Sequence, residues 1–216
     1  MHLATLPGHS GPVSALAYRP DGQVLATASG DGTVTLWSLD SPARPDVLAI
    51  LPGGAGSVSA LAYRADGRML ATGSVDGTAV LWDLGDPAHP ARVATLSGST
   101  DVVRSVAFGS GDSHSLAVGS ADGTAVLWDL SDETRPTRLA TLTGHTDAVY
   151  AVAYTPDGHT LATGSGDGTA IFWDVTEISS TAAHAVGLAC AMAGPALSRA
   201  DWEKYVPGLP YEQVCA

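Results

Sequence analysis

Apolar and polar residues alternate in short runs along most of the chain, and the runs repeat. In Val13 to Tyr18, Val13, Ala15 and Ala17 fall on one side of an extended segment and Ser14, Leu16 and Tyr18 on the other, the period of a strand. Pro20-Asp21-Gly22 follows as a turn, because proline presets φ and glycine accepts positive φ. Val24 to Ala28 reads as a second strand, and Gly30-Asp31-Gly32 as a tight turn into a third, Thr33 to Leu39. Ser41 to Pro45 is a longer connection, since Pro42 and Pro45 have no N–H to give to a ladder, and Val47 to Leu51 is a further short apolar strand. Four strands make the unit.

The unit recurs. Trp37, Trp82, Trp128 and Trp173 are spaced by 45, 46 and 45 residues, and each closes the same phrase: Asp-Gly-Thr, three residues of strand character, tryptophan. The copies begin at Leu3, Leu48, Val93 and Leu139 and span about 3–47, 48–92, 93–138 and 139–175, with one extra residue in the middle turn of the third. A period of this size means stacked supersecondary units. Both faces of these strands are largely apolar or small, so each sheet needs a neighbour on either side. Radial stacking of four-stranded antiparallel sheets about an axis supplies both, so the pattern predicts an all-β propeller over 1–175, followed by a separate tail over 176–216.

With these features the chain resembles the WD-repeat family. Gly8-His9 and Gly144-His145 match its opening dipeptide, and Trp82-Asp83, Trp128-Asp129 and Trp173-Asp174 its closing one; the first copy departs with Trp37-Ser38. The resemblance implies that the opening strand of each repeat forms the outer edge of the preceding blade. The fourth blade then lacks its outer strand, and Leu3 to Leu6 is a spare strand of that kind, able to complete the fourth blade or another subunit.

His9, Ser29, Asp31 and Trp37 recur as His145, Ser165, Asp167 and Trp173. Ser, His and Asp together raise the possibility of a catalytic triad, but a nucleophile has no reason to recur with the same spacing to tryptophan. The resemblance implies instead a structural chain in which Asp accepts from His, His meets Ser, and Ser meets the indole N–H. The second copy keeps Ser74, Asp76 and Trp82 but has Gly54 at the histidine position. The third keeps Ser120, Asp122 and Trp128 but has Ser99 there. On that reading the second and third blades are the less rigid ones.

Composition narrows the function classes. The formal net charge is −12, with one lysine (Lys204) against nine arginines, which argues against nucleic acid and anionic membrane as partners. No apolar run approaches the roughly 18 residues of a membrane span, and the N-terminus lacks a cationic start followed by an apolar core, so a cytoplasmic protein is expected. The alanine and glycine bias fits a bacterial source. The Asp-Gly turns offer one carboxylate each, where calcium takes about six to eight oxygens. With no zinc, Walker or dinucleotide motif, no metal or cofactor is expected.

In the tail, Ser179 to Met192 has helical character and Ser198 to Asp201 reads as a capping box. The stretch with Trp202, Tyr205, Pro207, Tyr211 and Cys215 resembles the closing segment of actinobacterial WD-repeat proteins, in which the propeller often follows a kinase, protease or nucleotide-switch domain. Cys190 and Cys215 leave two alternatives, a bond that clips the tail into a loop or the two reduced thiols that are the default in a cytosolic protein, and a zinc site with His184 lacks compact ligand spacing.

The function expected is a non-catalytic scaffold for a protein or peptide partner. Arg104 and Tyr150, in the strand openings where the copies diverge, are the candidate contact residues, both being types enriched at interface hot spots. Alternatives are the C-terminal part of a larger signalling protein, or one subunit of a homodimeric eight-bladed ring. An enzyme using the central channel would need a polar cluster outside the repeat pattern, and none is present in the sequence.

Overall fold

A computed structural model describes residues 2–53, 56–110 and 114–176; the tail, with its expected helices, Cys190, Cys215 and His184, lies outside the described residues, as does Gly54. The chain divides into two units, Met1–Asp174 and Val175–Ala216, and the described residues fall almost wholly in the first.

The first unit is all β. Its first blade is β1 (Val13–Tyr18), β2 (Val24–Ser29), β3 (Thr33–Ser38) and β4 (Asp46–Pro52). The second is β5 (Val58–Tyr63), β6 (Met69–Ser74), β7 (Thr78–Asp83) and β8 (Ala91–Ser97), and the third is β9 (Val103–Phe108), β10 (Ser115–Ser120), β11 (Thr124–Asp129) and β12 (Thr137–Thr143). The fourth holds β13 (Val149–Tyr154), β14 (Thr160–Ser165) and β15 (Ala170–Asp174). Each blade is an antiparallel sheet in sequence order, four-stranded in the first three cases and, among the described residues, three-stranded in the last. Each of the first three blades takes its outermost strand from the opening of the next copy, as the resemblance implies.

The first strand of each blade is innermost. β1 packs on β5, β5 on β9 and β9 on β13, and each also packs on the second strand of the blade before it: β5 on β2, β9 on β6, β13 on β10. The apolar two-sidedness of the sequence is used here. In β2, β6 and β10 every residue is buried, and two clusters, one around Leu36, Leu70 and Trp82 and one around Leu81, Leu116 and Trp128, fill the spaces between blades.

Turns follow the local chemistry. Gly32, Gly77, Gly123 and Gly168 have φ of 83–84°, the left-handed conformation that glycine tolerates at no steric cost. Each follows an aspartate whose Oδ1 accepts the N–H two residues on, as in Thr33 N to Asp31 at 3.0 Å.

The inner strands depart from simple alternation. Each carries a bulge, so that Ser14, Ser59, Arg104 and Tyr150 have no opposite residue in the register. The extra residue brings positions three apart to one side: Val103 and Val106 are both buried, as are Val149 and Val152. Period-two reasoning does not register such an insertion.

Burial bears on the rigidity expected from the missing histidines. The second and third blades, which lack them, have the fully buried strands β6 and β10, as the first has β2, whereas β15 alternates exposed and half-buried and β1 carries Val13, Leu16 and Tyr18 at 55–62% exposure. We infer that packing on both faces counts for more than one hydrogen-bond chain. Amide hydrogen exchange measured strand by strand is therefore expected to be slowest in β6 and β10 and fastest in β15; slower exchange in β14 and β15 than in β6 contradicts this.

Candidate functional site

Two classes of polar residue recur with the repeat: a set enclosed within each blade, and the bulged residues at the openings of the inner strands.

The enclosed set is complete in the first and fourth blades. The side chain of His9 is 6% exposed and that of Asp31 12%, and His9 Nδ1 donates to Asp31 Oδ2 at 3.2 Å. On the other edge of the ring, His9 Nε2 meets Thr27 Oγ1 at 2.8 Å, and the same hydroxyl accepts the Trp37 indole N–H at 2.9 Å. The fourth blade repeats this with His145 to Asp167 at 2.9 Å, His145 to Thr163 at 2.8 Å and Trp173 to Thr163 at 2.9 Å. Nδ1 is the protonated nitrogen, because its partner is a carboxylate that can only accept.

The central hydroxyl is thus Thr27 or Thr163 and not Ser29 or Ser165, which corrects the expectation from the resemblance. Ser29 instead accepts the Asp31 N–H at 3.1 Å, and Ser165 accepts that of Asp167 at 3.2 Å while donating to the Asp147 carbonyl at 2.9 Å. The serines tie the turn. Thr27 and Ser29 share one side of β2, and place along the strand separates them: Ser29 ends β2 at the Asp-Gly turn, whereas Thr27 lies within the strand beside β3.

The middle blades keep parts of the set. In the second, Trp82 donates to Thr72 Oγ1 at 3.3 Å, and Asp76 N–H reaches Ser74 Oγ at 3.3 Å. In the third, Asp122 N–H reaches Ser120 Oγ at 3.2 Å, and Asp122 Oδ2 accepts from the backbone and hydroxyl of Thr100 at 2.8 and 2.9 Å. Trp128 faces a position held by Val118, which offers no hydroxyl.

These contacts set the charge state of the turn carboxylates. Asp31 is held well below the usual carboxylate range, first by the Thr33 hydroxyl, then by the Ser10 and Thr33 amides and His9, against a desolvation that opposes them. Asp167 is lowered likewise, first by Thr169 and then by Thr146 and His145. The arrangement is a framework: Thr27, at 6% exposure, is committed to histidine and tryptophan.

The bulged residues differ. Ser14 Oγ donates to the carbonyls of Ala28, at 3.2 Å, and of Val58 on the next inner strand. Ser59 does the same to Gly73 at 3.1 Å and Val103 at 2.5 Å. Arg104 and Tyr150 replace these staples. The Arg104 guanidinium sits 5.7 Å from the centre of the Tyr150 ring, both side chains being exposed on neighbouring inner strands. Sequence reading singled out both residues; their mutual stacking carried no signal along the chain, since they lie on different repeats.

The family described as "WD domain, G-beta repeat" matches the chain over residues 1–38, 46–83, 91–129 and 136–174. A curated relative, the "Target of rapamycin complex subunit wat1" of Schizosaccharomyces pombe, is 46% identical over 43 residues, 20% of this chain and 14% of its own length. Among solved structures, that of U3-55K is similar at a TM-score of 0.68 and 27% identity, over 80% of this chain and 51% of that one. The computationally designed Ika4 protein matches at 0.67 and 25% identity, over 81% of this chain and 98% of that one. The match therefore spans about half of the U3-55K chain and a small part of the curated relative.

The enclosed set makes two outcomes measurable. Thr27→Val is expected to cost about 1–3 kcal/mol in urea unfolding, because it strands both the Trp37 donor and His9, and Ser29→Ala about 1 kcal/mol or less; equal losses contradict the assignment. For the carboxylates, the folded-state value lies below the unfolded one, so their stabilisation is full above about pH 4 and fades as pH falls through the acid range. The stability gap between wild type and Asp31→Asn is expected to be widest near neutrality and to close in acid; a gap independent of pH contradicts this.

Proposed function

Since the chain belongs to the WD-repeat (G-beta repeat) family, we propose that it is a non-catalytic scaffold that binds a protein or peptide through the inner-strand openings of its third and fourth blades. The observation that carries this is the exposed stack of Arg104 on Tyr150 at 5.7 Å. Serine at the equivalent places in the first two blades is consumed in tying one inner strand to the next. Arginine and tyrosine at the other two present a planar cation and an aromatic face outward, already ordered against each other, so that little side-chain entropy is lost on binding. A bulge re-aims a side chain, which accounts for why these positions diverge while their neighbours repeat.

A partner with carboxylate and apolar groups fits that pair, because guanidinium takes carboxylates in a forked geometry and the tyrosine ring takes apolar surface. Nucleic acid does not fit the reading: at a net charge of −12 the long-range field repels phosphate. The name of the fission-yeast relative, a subunit of a complex, agrees with a scaffold role.

The test is affinity capture from the cells of origin, comparing wild type with Arg104→Ala/Tyr150→Ala at matched folding by circular dichroism. A partner held by wild type and lost by more than about tenfold in the double variant is expected. Equal capture by both proteins contradicts the assignment of the surface.

A further inference from the structure

Three blade junctions inside the chain are built from the same parts, and the ends of the array carry the two halves of a fourth. At an internal junction, the first valine of an inner strand enters the preceding blade beside a small residue. A methyl built on Gly73 would stand 2.4 Å from Val103 Cγ1, and one on Gly119 would stand 3.0 Å from Val149 Cγ1 and 2.9 Å from Val152 Cγ1. Val58, Val103 and Val149 are accordingly 0–1% exposed. Gly164 holds that place in the fourth blade, and among the described residues the same methyl there would meet only Ala151 Cβ, at 3.8 Å. Gly32, Gly77 and Gly123 lie under the carbonyls of Gly56, Asp101 and Asp147 in the next blade's entering loop, whereas Gly168 has nothing within 4 Å among the described residues. At the opposite end, Val13 is 55% and Leu16 62% exposed. One end is a notch without its valine, the other a valine without its notch.

The outer edge is divided in the same way. Among the described residues β15 pairs with β14 and with no outer strand, and Phe172 is 75% exposed where Leu36, Leu81 and Leu127 are 0–2% exposed. Residues 2–7, His-Leu-Ala-Thr-Leu-Pro, repeat the pattern of residues 47–52, Val-Leu-Ala-Ile-Leu-Pro, yet join no sheet. Gly8 lies against Trp37 of the first blade as Gly144 lies against Trp173 of the fourth. Residues 2–7 therefore occupy the point of the repeat at which the chain belongs to a preceding blade.

We propose that a second copy of this chain completes both ends. Val13 and Leu16 of each copy enter the notch at Gly164 and Gly168 of the other, and residues 2–7 of each add to β15 of the other in the register of β4 on β3, with Leu6 opposite Ala170 and Ala4 opposite Phe172. Continuity identifies the occupant: the new contact is the internal junction made once more, and every part of it is present in this sequence. Two such contacts are related by a two-fold axis and leave no free end, giving eight blades. Arg104 plays no part in this contact, and the proposal stands apart from the partner-binding reading above.

The test is sedimentation of the full 216-residue chain across micromolar concentrations. A particle of twice 21.8 kDa is expected. Val13→Asp and Gly164→Leu alter positions that are open in the single copy, so each is expected to keep its β-type circular dichroism while weakening association by about tenfold or more. Mixing the two variants pairs an intact Gly164 notch with an intact Val13, so the mixture associates more strongly than either variant alone. A 21.8 kDa particle throughout overturns the proposal and leaves the end faces to residues 177–216 or to another chain. Masses that climb with concentration, or a dimer unaffected by either variant, overturn the closed head-to-tail ring.

Discussion

Each blade of this protein is held by the next through a valine seated where the neighbouring strand carries glycine or alanine. Val58, Val103 and Val149 are sealed in this way, and burial of a valine contributes roughly 1.5–3 kcal/mol relative to exposure. The sheets cannot stand alone, since both faces of β2, β6 and β10 are apolar or small. A single blade in water would leave both faces wet, and stacking is the arrangement that covers both. The bulge in each inner strand belongs to the same device: it brings Val149 and Val152 to one side, where both meet the Gly119 notch.

Hydrogen bonding works at right angles to that stacking. Asp31, His9, Thr27 and Trp37 tie the entering loop, the tight turn and two strands of one blade to each other, and Asp167, His145, Thr163 and Trp173 do the same in the fourth. The complete chains fall in the blades that have a neighbour on one side alone within this array. The enclosed blades are packed on both faces and keep a partial set. Bonds within a blade stand where packing between blades is least, which is a physical account of why the copies differ.

Much of the fold was legible because it is periodic. The tryptophan spacing, the Asp-Gly turns and four strands per repeat required no knowledge of tertiary structure, and the three strands described for the fourth blade agree with counting along the repeats. What escaped depended on position at finer scale. The threonines at 27, 72 and 163 stand ten residues before their tryptophans in three of the four copies, a signal close to that of the serines, which stand eight before in all four. Choosing between the two needed the knowledge of which residue ends the strand and which lies within it. The bulge at Ser14 was hidden because alternation reads equally well with or without one extra residue. Arg104 and Tyr150 stood out by type, but their stacking arises only when the third and fourth blades are placed side by side.

The junction itself is most directly measured by a double-mutant cycle on Gly73 and Val103, read by urea unfolding. Gly73→Val fills the notch while Val103 still occupies it, and Val103→Ala empties the space; each alone is destabilising. Made together, they move the bulk from one side of the junction to the other, so the pair is expected to lose less than the sum of the singles by about 1 kcal/mol or more. Losses that simply add would contradict the account, because they would mean that the two residues do not share one space.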